Sequence, residues 1–348
     1  MPIRFELFKR EARILSPLRN FDLTTQTLEH RKDPLTGRTV IVIKGRMDYV
    51  RKFVETDDNF LEDLAASTQP DCPFCPSSVT SRAPMFPPEI ASEGRIQVGD
   101  AICFPSLFAH EDFNAIVVPT REHQLRLNEF SPEMLVNGFE ACLDYFARVR
   151  GFRPEAKHAS IAMNFLPPAG STISHIHMQA LASEWPFHSV AELIGASRAY
   201  RDRHDSSYWA DLLEEERRLG ERYLASNGNV HWLTSFAPLG LNEAQAIVSG
   251  KSSLDQLTSA DLDGLADGMI RVLRFYHNSG IRSFNAAFYS GPLGEPAEYF
   301  DLGLRIVPRY GYKPRFVSDV WAMQFLLGER EVYESPEETC GKLRKYFA

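Results

Sequence analysis

His175-Ile176-His177-Met178-Gln179 carries three polar side chains at alternate positions, the spacing in this chain that most directly implies chemistry. A β-strand projects alternate residues to one side, so a strand here would present two imidazoles and a carboxamide on one face and bury Ile176 and Met178. An imidazole with a free ring nitrogen is a nucleophile at neutral pH. Attack on the α-phosphorus of a nucleotide would give a phosphoramidate, from which a second oxygen acceptor could take the nucleotidyl group. Gln179 could donate to a nonbridging oxygen as charge develops there. Just upstream, Gly170-Ser171-Thr172-Ile173-Ser174 offers amide and hydroxyl donors near a phosphate, without the Gly-Lys-Ser/Thr ending of a Walker A loop. A histidine pair on a strand serves equally well as metal ligands or as a satisfied polar core.

Cys72-Pro73-Phe74-Cys75 brings two soft ligands across a tight turn. Zinc prefers such a pair, and a redox dithiol uses the same spacing. Zinc needs two more ligands. His175 is one candidate, and His123, which follows a strand and Pro119, or His110 is the other. With four protein ligands the ion would be structural, with no open position for water. It would still serve catalysis by fixing the strand that carries His177.

Around these residues the chain repeats an order of elements. Thr39–Ile43 and Asn114–Val118 read as strands, and Asp33-Pro34-Leu35-Thr36-Gly37 as a turn. Ser131-Pro132-Glu133 starts a helix with Leu135, Phe139, Cys142, Leu143 and Phe146 on one face; Ser160–Phe165 returns to strand. Later, Ala246–Val248 is a strand, Thr258 or Ser259 caps a helix with Leu262, Leu265, Met269, Val272, Leu273 and Tyr276 on its face, and Gly280 ends it. Ser283–Phe288 and Tyr299–Val307 follow as strands. Strand, helix, strand, loop, strand occurs twice, which reads as a divergent internal duplication. The second copy keeps apolar Leu302, Leu304 and Ile306, with Gly303 and Arg305 where imidazoles would stand. The expected organisation is an N-terminal catalytic half over 1–190, a connecting helical segment over 191–229 ending near Asn227-Gly228, and a degenerate C-terminal half over 230–348, closed by a helix from Ser335.

The 348 residues are 44% hydrophobic and 24% charged, with net charge −8. That composition fits a folded chain, and the acidic balance argues against a general nucleic-acid surface while leaving small anionic substrates open. The N-terminal MPIRFELFKREARIL has no apolar core or cleavage signature, and no run spans a bilayer, so a cytoplasmic location without membrane insertion is expected. An odd count of five cysteines argues against a disulfide framework; Cys103, Cys142 and Cys340 read as reduced, structural thiols.

The series Arg31-Lys32-Asp33-Pro34-Leu35-Thr36-Gly37, Cys72/Cys75, Val118-Pro119-Thr120-Arg121-Glu122-His123 and Asn164 through His175-x-His177-x-Gln179 resembles the galactose-1-phosphate uridylyltransferase family. That family lies within the histidine-triad-like nucleotidyltransferase superfamily, which includes ADP-glucose phosphorylase-like members. The resemblance spans residues 28–345 and is more specific in the first half. It implies an α+β fold of duplicated histidine-triad-like halves, with antiparallel sheets and packed helices. It further implies Cys72, Cys75, His123 and His175 as structural zinc ligands, His177 as the nucleotidyl-accepting nucleophile and Gln179 as its phosphate-binding partner. Asn164, Ser171 and Thr172 would serve the phosphate site, and Arg31 and Arg46 would bind substrate phosphates. The implied reaction exchanges a nucleotidyl group between an NDP-sugar and a sugar 1-phosphate or inorganic phosphate; magnesium can accompany the nucleotide, and a homodimer is expected. Nucleotide-polyphosphate phosphorolysis or hydrolysis, and noncatalytic nucleotide binding, are the alternatives. Phe165-Leu166-Pro167-Pro168 departs from the family's small, glycine-bearing turn, and Asp301, Gly303 and Arg305 depart from its second metal and sugar-phosphate features, which puts both in doubt.

Overall fold

A computed structural model of the protein describes residues 3–46, 58–310 and 318–348. Within them the chain forms β1 (Glu6–Ser16), β2 (Asp22–Lys32), β3 (Thr39–Val42), α1 (Asp58–Thr68), β4 (Ile96–Val98), β5 (Ala101–Pro105), β6 (Phe113–Val118), α2 (Pro132–Phe152), β7 (His158–Phe165) and β8 (Met178–Ser183). It continues through α3 (His188–His204), α4 (Tyr208–Leu219), β9 (Tyr223–Asn227), β10 (Val230–Leu233), β11 (Ala244–Val248), α5 (Ser259–Asn278), β12 (Ser283–Tyr289), β13 (Leu302–Arg309), β14 (Arg330–Val332) and α6 (Pro336–Phe347). This is a mixed α+β fold of two sheets with packed helices, antiparallel throughout except where β14 joins β3 in parallel.

The larger sheet has ten strands in the order β4-β5-β6-β8-β7-β12-β13-β11-β10-β9. That order mirrors about the β7–β12 junction, where Asn164 lies directly opposite Asn285. One face carries α2 and α5. Leu135, Phe139, Cys142 and Phe146 of α2 and the apolar stripe of α5 enter one core with Met163, Met178, Phe284, Leu304 and Ile306. Three serine or threonine residues start the long helices by accepting a backbone N–H: Ser131 from Met134, Thr258 from Asp261 and Ser335 from Glu338. The opposite face is covered unevenly. Over β5 and β6 it holds the Cys72–Cys75 turn, with Phe74, Phe104, Ile116 and Val118 in contact. Over β10 and β11 it is covered by α3 and α4, through Leu193, Trp209, Leu212, Leu233 and Ile247.

Several elements differ from the sequence reading. The helix expected up to Asn227-Gly228 ends at Gly220, whose φ of 67° suits glycine; Leu224 belongs to β9 and Asn227 to the β9–β10 hairpin. Asp205, at φ 53°, separates α3 from α4. The strand expected from Tyr299 begins at Leu302. The β1–β2 hairpin was not anticipated, because its strands are mostly exposed and lack an apolar face. No helix among the described residues is long and apolar enough to cross a membrane.

A candidate metal centre beside a histidine loop

The histidine segment is not itself strand. Ladder pairing of β8 begins at Met178, opposite Val117 on one side and Met163 on the other. Pairing stops there for two reasons. Pro119 follows β6 and has no N–H to donate, and β7 leaves the ladder at Leu166, which adopts φ 68° and ψ 163°. That conformation ordinarily belongs to glycine and costs about 1–3 kcal/mol; burial of the Leu166 side chain in the α2 core holds it there. The turn is thus built on a leucine anchored through its side chain. Alternation survives even without the ladder, since Ile176 and Met178 are in the core while Gln179 is half-buried on the other face.

Cys72, Cys75, His123 and His175 converge from three separate segments, all buried, with their donor atoms within 4.8 Å of one another. His175 Nδ1 lies 3.6 Å from Cys72 Sγ and 3.7 Å from Cys75 Sγ, and His123 Nδ1 lies 3.4 Å from Cys75 Sγ. A tetrahedral zinc with ordinary Zn–S and Zn–N bonds would set such edges at about 3.6 Å. The outer ring nitrogens are held as well. His175 Nε2 donates to the Thr120 carbonyl at 3.1 Å, and His123 Nε2 donates to Thr68 Oγ1 at 3.0 Å. Thr68 in turn donates to the Leu64 carbonyl at 2.7 Å, which ties the centre to α1. Both imidazoles are therefore fixed in the tautomer whose Nδ1 lone pair faces the thiols. Burial holds His175 down to about 4, so its ring is neutral at physiological pH. Burial, and then the Cys72 thiol beside it, push Cys75 up to about 11. A buried pair of thiols and two neutral imidazoles in this arrangement can coordinate a metal ion. His110, the rival for the fourth position, is exposed and uses its backbone N–H on Asn114.

His177 is buried beside this centre but belongs to none of its contacts. Its Nδ1 donates to the His175 carbonyl at 2.9 Å, and the Phe74 ring meets its edge with centroids 5.3 Å apart. With Nδ1 carrying the proton, Nε2 keeps a lone pair, and it makes no hydrogen bond among the described residues. Burial lowers the pKa of His177, the backbone carbonyl opposing it. Ala162 and Asn164 of β7 share the sheet face of Gln179, since Ala162 is directly opposite Gln179 in the register. Ser171 is buried with its hydroxyl donating to the Ile173 carbonyl at 2.7 Å, whereas Thr172 is exposed. What results is an imidazole with one nitrogen unpartnered among the described residues, a sheet face carrying the carboxamides of Gln179 and Asn164, and a hydroxyl-bearing loop.

Two arginines considered for substrate phosphate are occupied. Arg31 is buried, forks onto Glu337 with both contacts at 2.8 Å and also meets Glu29 at 3.3 Å. Arg46 lies 3.8 Å from Glu331 and over the Tyr333 ring. In the second half, Arg305 Nη1 pairs with Glu243 at 2.9 Å and lies over the Tyr289 ring, while Asp301 accepts from the Gly250 N–H at 3.2 Å. Burial pushes Asp301 up to about 6. Sequence reasoning did not find Thr68, the Thr120 carbonyl or Asn285 as supporting groups, because each acts across a sequence separation that only the fold closes.

No protein-family model matches the chain. It is 27% identical over 343 residues, 98% of this chain and 99% of the other, to an uncharacterized protein of Archaeoglobus fulgidus. Among solved structures it shares its fold with a GalT-like protein of Arabidopsis thaliana (TM-score 0.69, 16% identity, 91% of this chain and 98% of that one). An ADP-glucose phosphorylase of the same plant with bound ADP-glucose matches equally (0.69, 17%, 91% and 99%). A uridylyltransferase follows (0.65, 20%, 91% and 98%). Each match runs through both mirrored parts of the large sheet. The fold is that of galactose-1-phosphate uridylyltransferase-like proteins.

Proposed function

We propose that this chain, sharing the fold of the uridylyltransferase and of the ADP-glucose phosphorylase, is a nucleotidyltransferase that carries the nucleotidyl group on His177. The observation that carries the reading is a buried His177 whose Nδ1–H is committed to the His175 carbonyl, so that Nε2 is the nucleophile. In the first displacement Nε2 attacks the α-phosphorus of an NDP-sugar, the P–N bond forms, the α–β P–O bond breaks, and sugar 1-phosphate leaves with the electron pair. In the second, an oxygen of a sugar 1-phosphate or of inorganic phosphate attacks the same phosphorus and the P–N electron pair returns to Nε2. The ring is cationic while it carries the group, and the His175 carbonyl accepting from Nδ1 stabilises that charge. Gln179 and Asn164 would donate to the nonbridging oxygens, with Ser171 and Thr172 on the preceding loop near the leaving phosphate.

Zinc is the ion that two thiolates and two imidazoles suit best, and Cys72, Cys75, His123 and His175 would hold it. When bound, it pins the loop that carries His177; no transfer step passes through it. The mirrored strand order supports two duplicated histidine-triad-like halves. With Asn164 and Asn285 as equivalent residues, the pairs Met163–Met178 and Phe284–Pro308 make Arg305 and Val307 the counterparts of His175 and His177. That is two residues further along than the sequence spacing implied, and it leaves chemistry to the first half.

The test is to mix the protein with UDP-glucose and ADP-glucose separately, quench in alkali and measure the intact mass. Mass increase by one nucleotidyl group with either donor is expected, and omission or addition of phosphate separates hydrolysis from transfer. Saturable nucleotide binding with no adduct and no turnover would replace this reading with a binding protein.

A further inference from the structure

Asn285 sits at the centre of the mirrored sheet, and each polar atom of its side chain is assigned. Its Nδ2 donates to Asn164 Oδ1 at 2.6 Å and to the Ala169 carbonyl at 2.8 Å, while its Oδ1 accepts from Arg309 Nη1 at 2.9 Å. Arg309 is itself locked, with Nε at 2.9 Å and Nη2 at 2.6 Å from the Asp319 carboxylate. A guanidinium can only donate and a carboxylate can only accept. Arg309 therefore dictates that the oxygen end of Asn285 faces it and that the NH2 end faces Asn164. The NH2 end of Asn285 in turn requires the oxygen end of Asn164. What remains of Asn164 is its own NH2, which has no partner among the described residues. It belongs to the sheet face shared with Gln179, one position beyond the last β7–β8 pair, where continued pairing would reach His177.

Amide polarity decides what this position can bind. An NH2 attracts a nonbridging phosphate oxygen, whereas a carbonyl oxygen there would repel it. We infer that Asn285, oriented by Arg309, is a positioning residue that sets the polarity of Asn164 and braces the Ala169 carbonyl of the turn before Ser171. The Asp319–Arg309–Asn285 chain thereby gives the otherwise non-catalytic second half a defined part in the first half's chemistry. This inference rests on the His177 reading above.

Asn285→Asp tests it, because a carboxylate keeps the shape and the Arg309 partner but cannot donate. Asn164 would then have to turn its NH2 toward residue 285 and its oxygen toward the substrate. The single-turnover rate of adduct formation with UDP-glucose or ADP-glucose should fall by about 100-fold, the scale for losing one preorganised donor, with the unfolding midpoint retained. In an Asn164→Ala background the same change should cost far less, only the loss of the Ala169 contact remaining. Should Asn285→Asp not fold, Arg309→Leu removes the lock instead and should slow the adduct by about 2-fold, one donor's orientation becoming statistical, again only when Asn164 is present. Equal rates for the variant and the parent, or an undiminished loss in the Asn164→Ala background, would overturn the positioning role while leaving the His177 reading intact. A parent protein that forms no adduct with either donor would overturn both.

Discussion

His177 and His175 are two positions apart and share a residue type, and what separates them is the hydrogen-bonding partner of each ring. His175 points Nδ1 at two thiols and spends Nε2 on the Thr120 carbonyl; His177 spends Nδ1 on a carbonyl and leaves Nε2 without a partner among the described residues. Substituting each by alanine should therefore split two observables. His177→Ala should retain its bound metal and its unfolding midpoint but lose nucleotidyl labelling. His175→Ala should lose bound metal and unfold at lower temperature, with labelling falling as a consequence. Metal per chain after removal of any tag, measured beside the melting curve, distinguishes them; full metal content in His175→Ala would remove that residue from the ligand set. At this scale the sequence was informative where partners lie on short segments, as with Cys72 and Cys75. It was silent where a partner is a backbone carbonyl or a threonine 55 residues away.

At the scale of elements, helix starts were legible because a cap is a local event: Ser131, Thr258 and Ser335 each bond within three residues. The β1–β2 hairpin was not, since strands exposed on both faces carry no apolar alternation for the eye to find. Nor was the contact of Arg31, which ties β2 to α6. Glu337 in the first turn of α6 takes Arg31 from β2 and Arg222 from the approach to β9, at 2.8 Å each. Burial works against the Glu337 carboxylate, but the hydrogen bonds and charge of Arg31, then of Arg222, hold it down at about 2. Glu337→Gln leaves two buried guanidinium groups short of a carboxylate and should destabilise the fold by about 3 kcal/mol at neutral pH. Because the folded pKa is below the ordinary glutamate value, that stabilisation is complete above about 4.5 and is lost as pH falls toward 2. Urea unfolding of both proteins at pH 7 and pH 3 should show the gap narrowing at the lower pH; a constant gap would contradict the linkage.

Across the whole molecule, a continuous ten-stranded sheet joins two mirrored parts with opposite coverings on its second face. The Cys72–Cys75 turn occupies that face over β5 and β6, and α3–α4 fill it over β10 and β11. The strand–helix–strand order of each part was readable from periodicity and caps. How the parts join was not, because pairing of β7 with β12 depends on contacts more than a hundred residues apart. The arrangement predicts a localised response to metal removal. Chelation should raise amide hydrogen exchange in residues 72–75 and 171–177 while β12, β13 and α5 stay protected, since their core contains none of the four ligands. A uniform rise across both parts would mean that the metal holds the entire sheet rather than one loop.

Peptide mapping of the protein quenched during turnover with a nucleotide sugar locates the residue that carries the nucleotidyl group. One nucleotidyl group on the peptide containing residues 175–179, assigned by fragmentation to His177 and absent from His177→Ala, is the expected result. A nucleotidyl group on any other residue, or turnover that continues undiminished in His177→Ala, would contradict it.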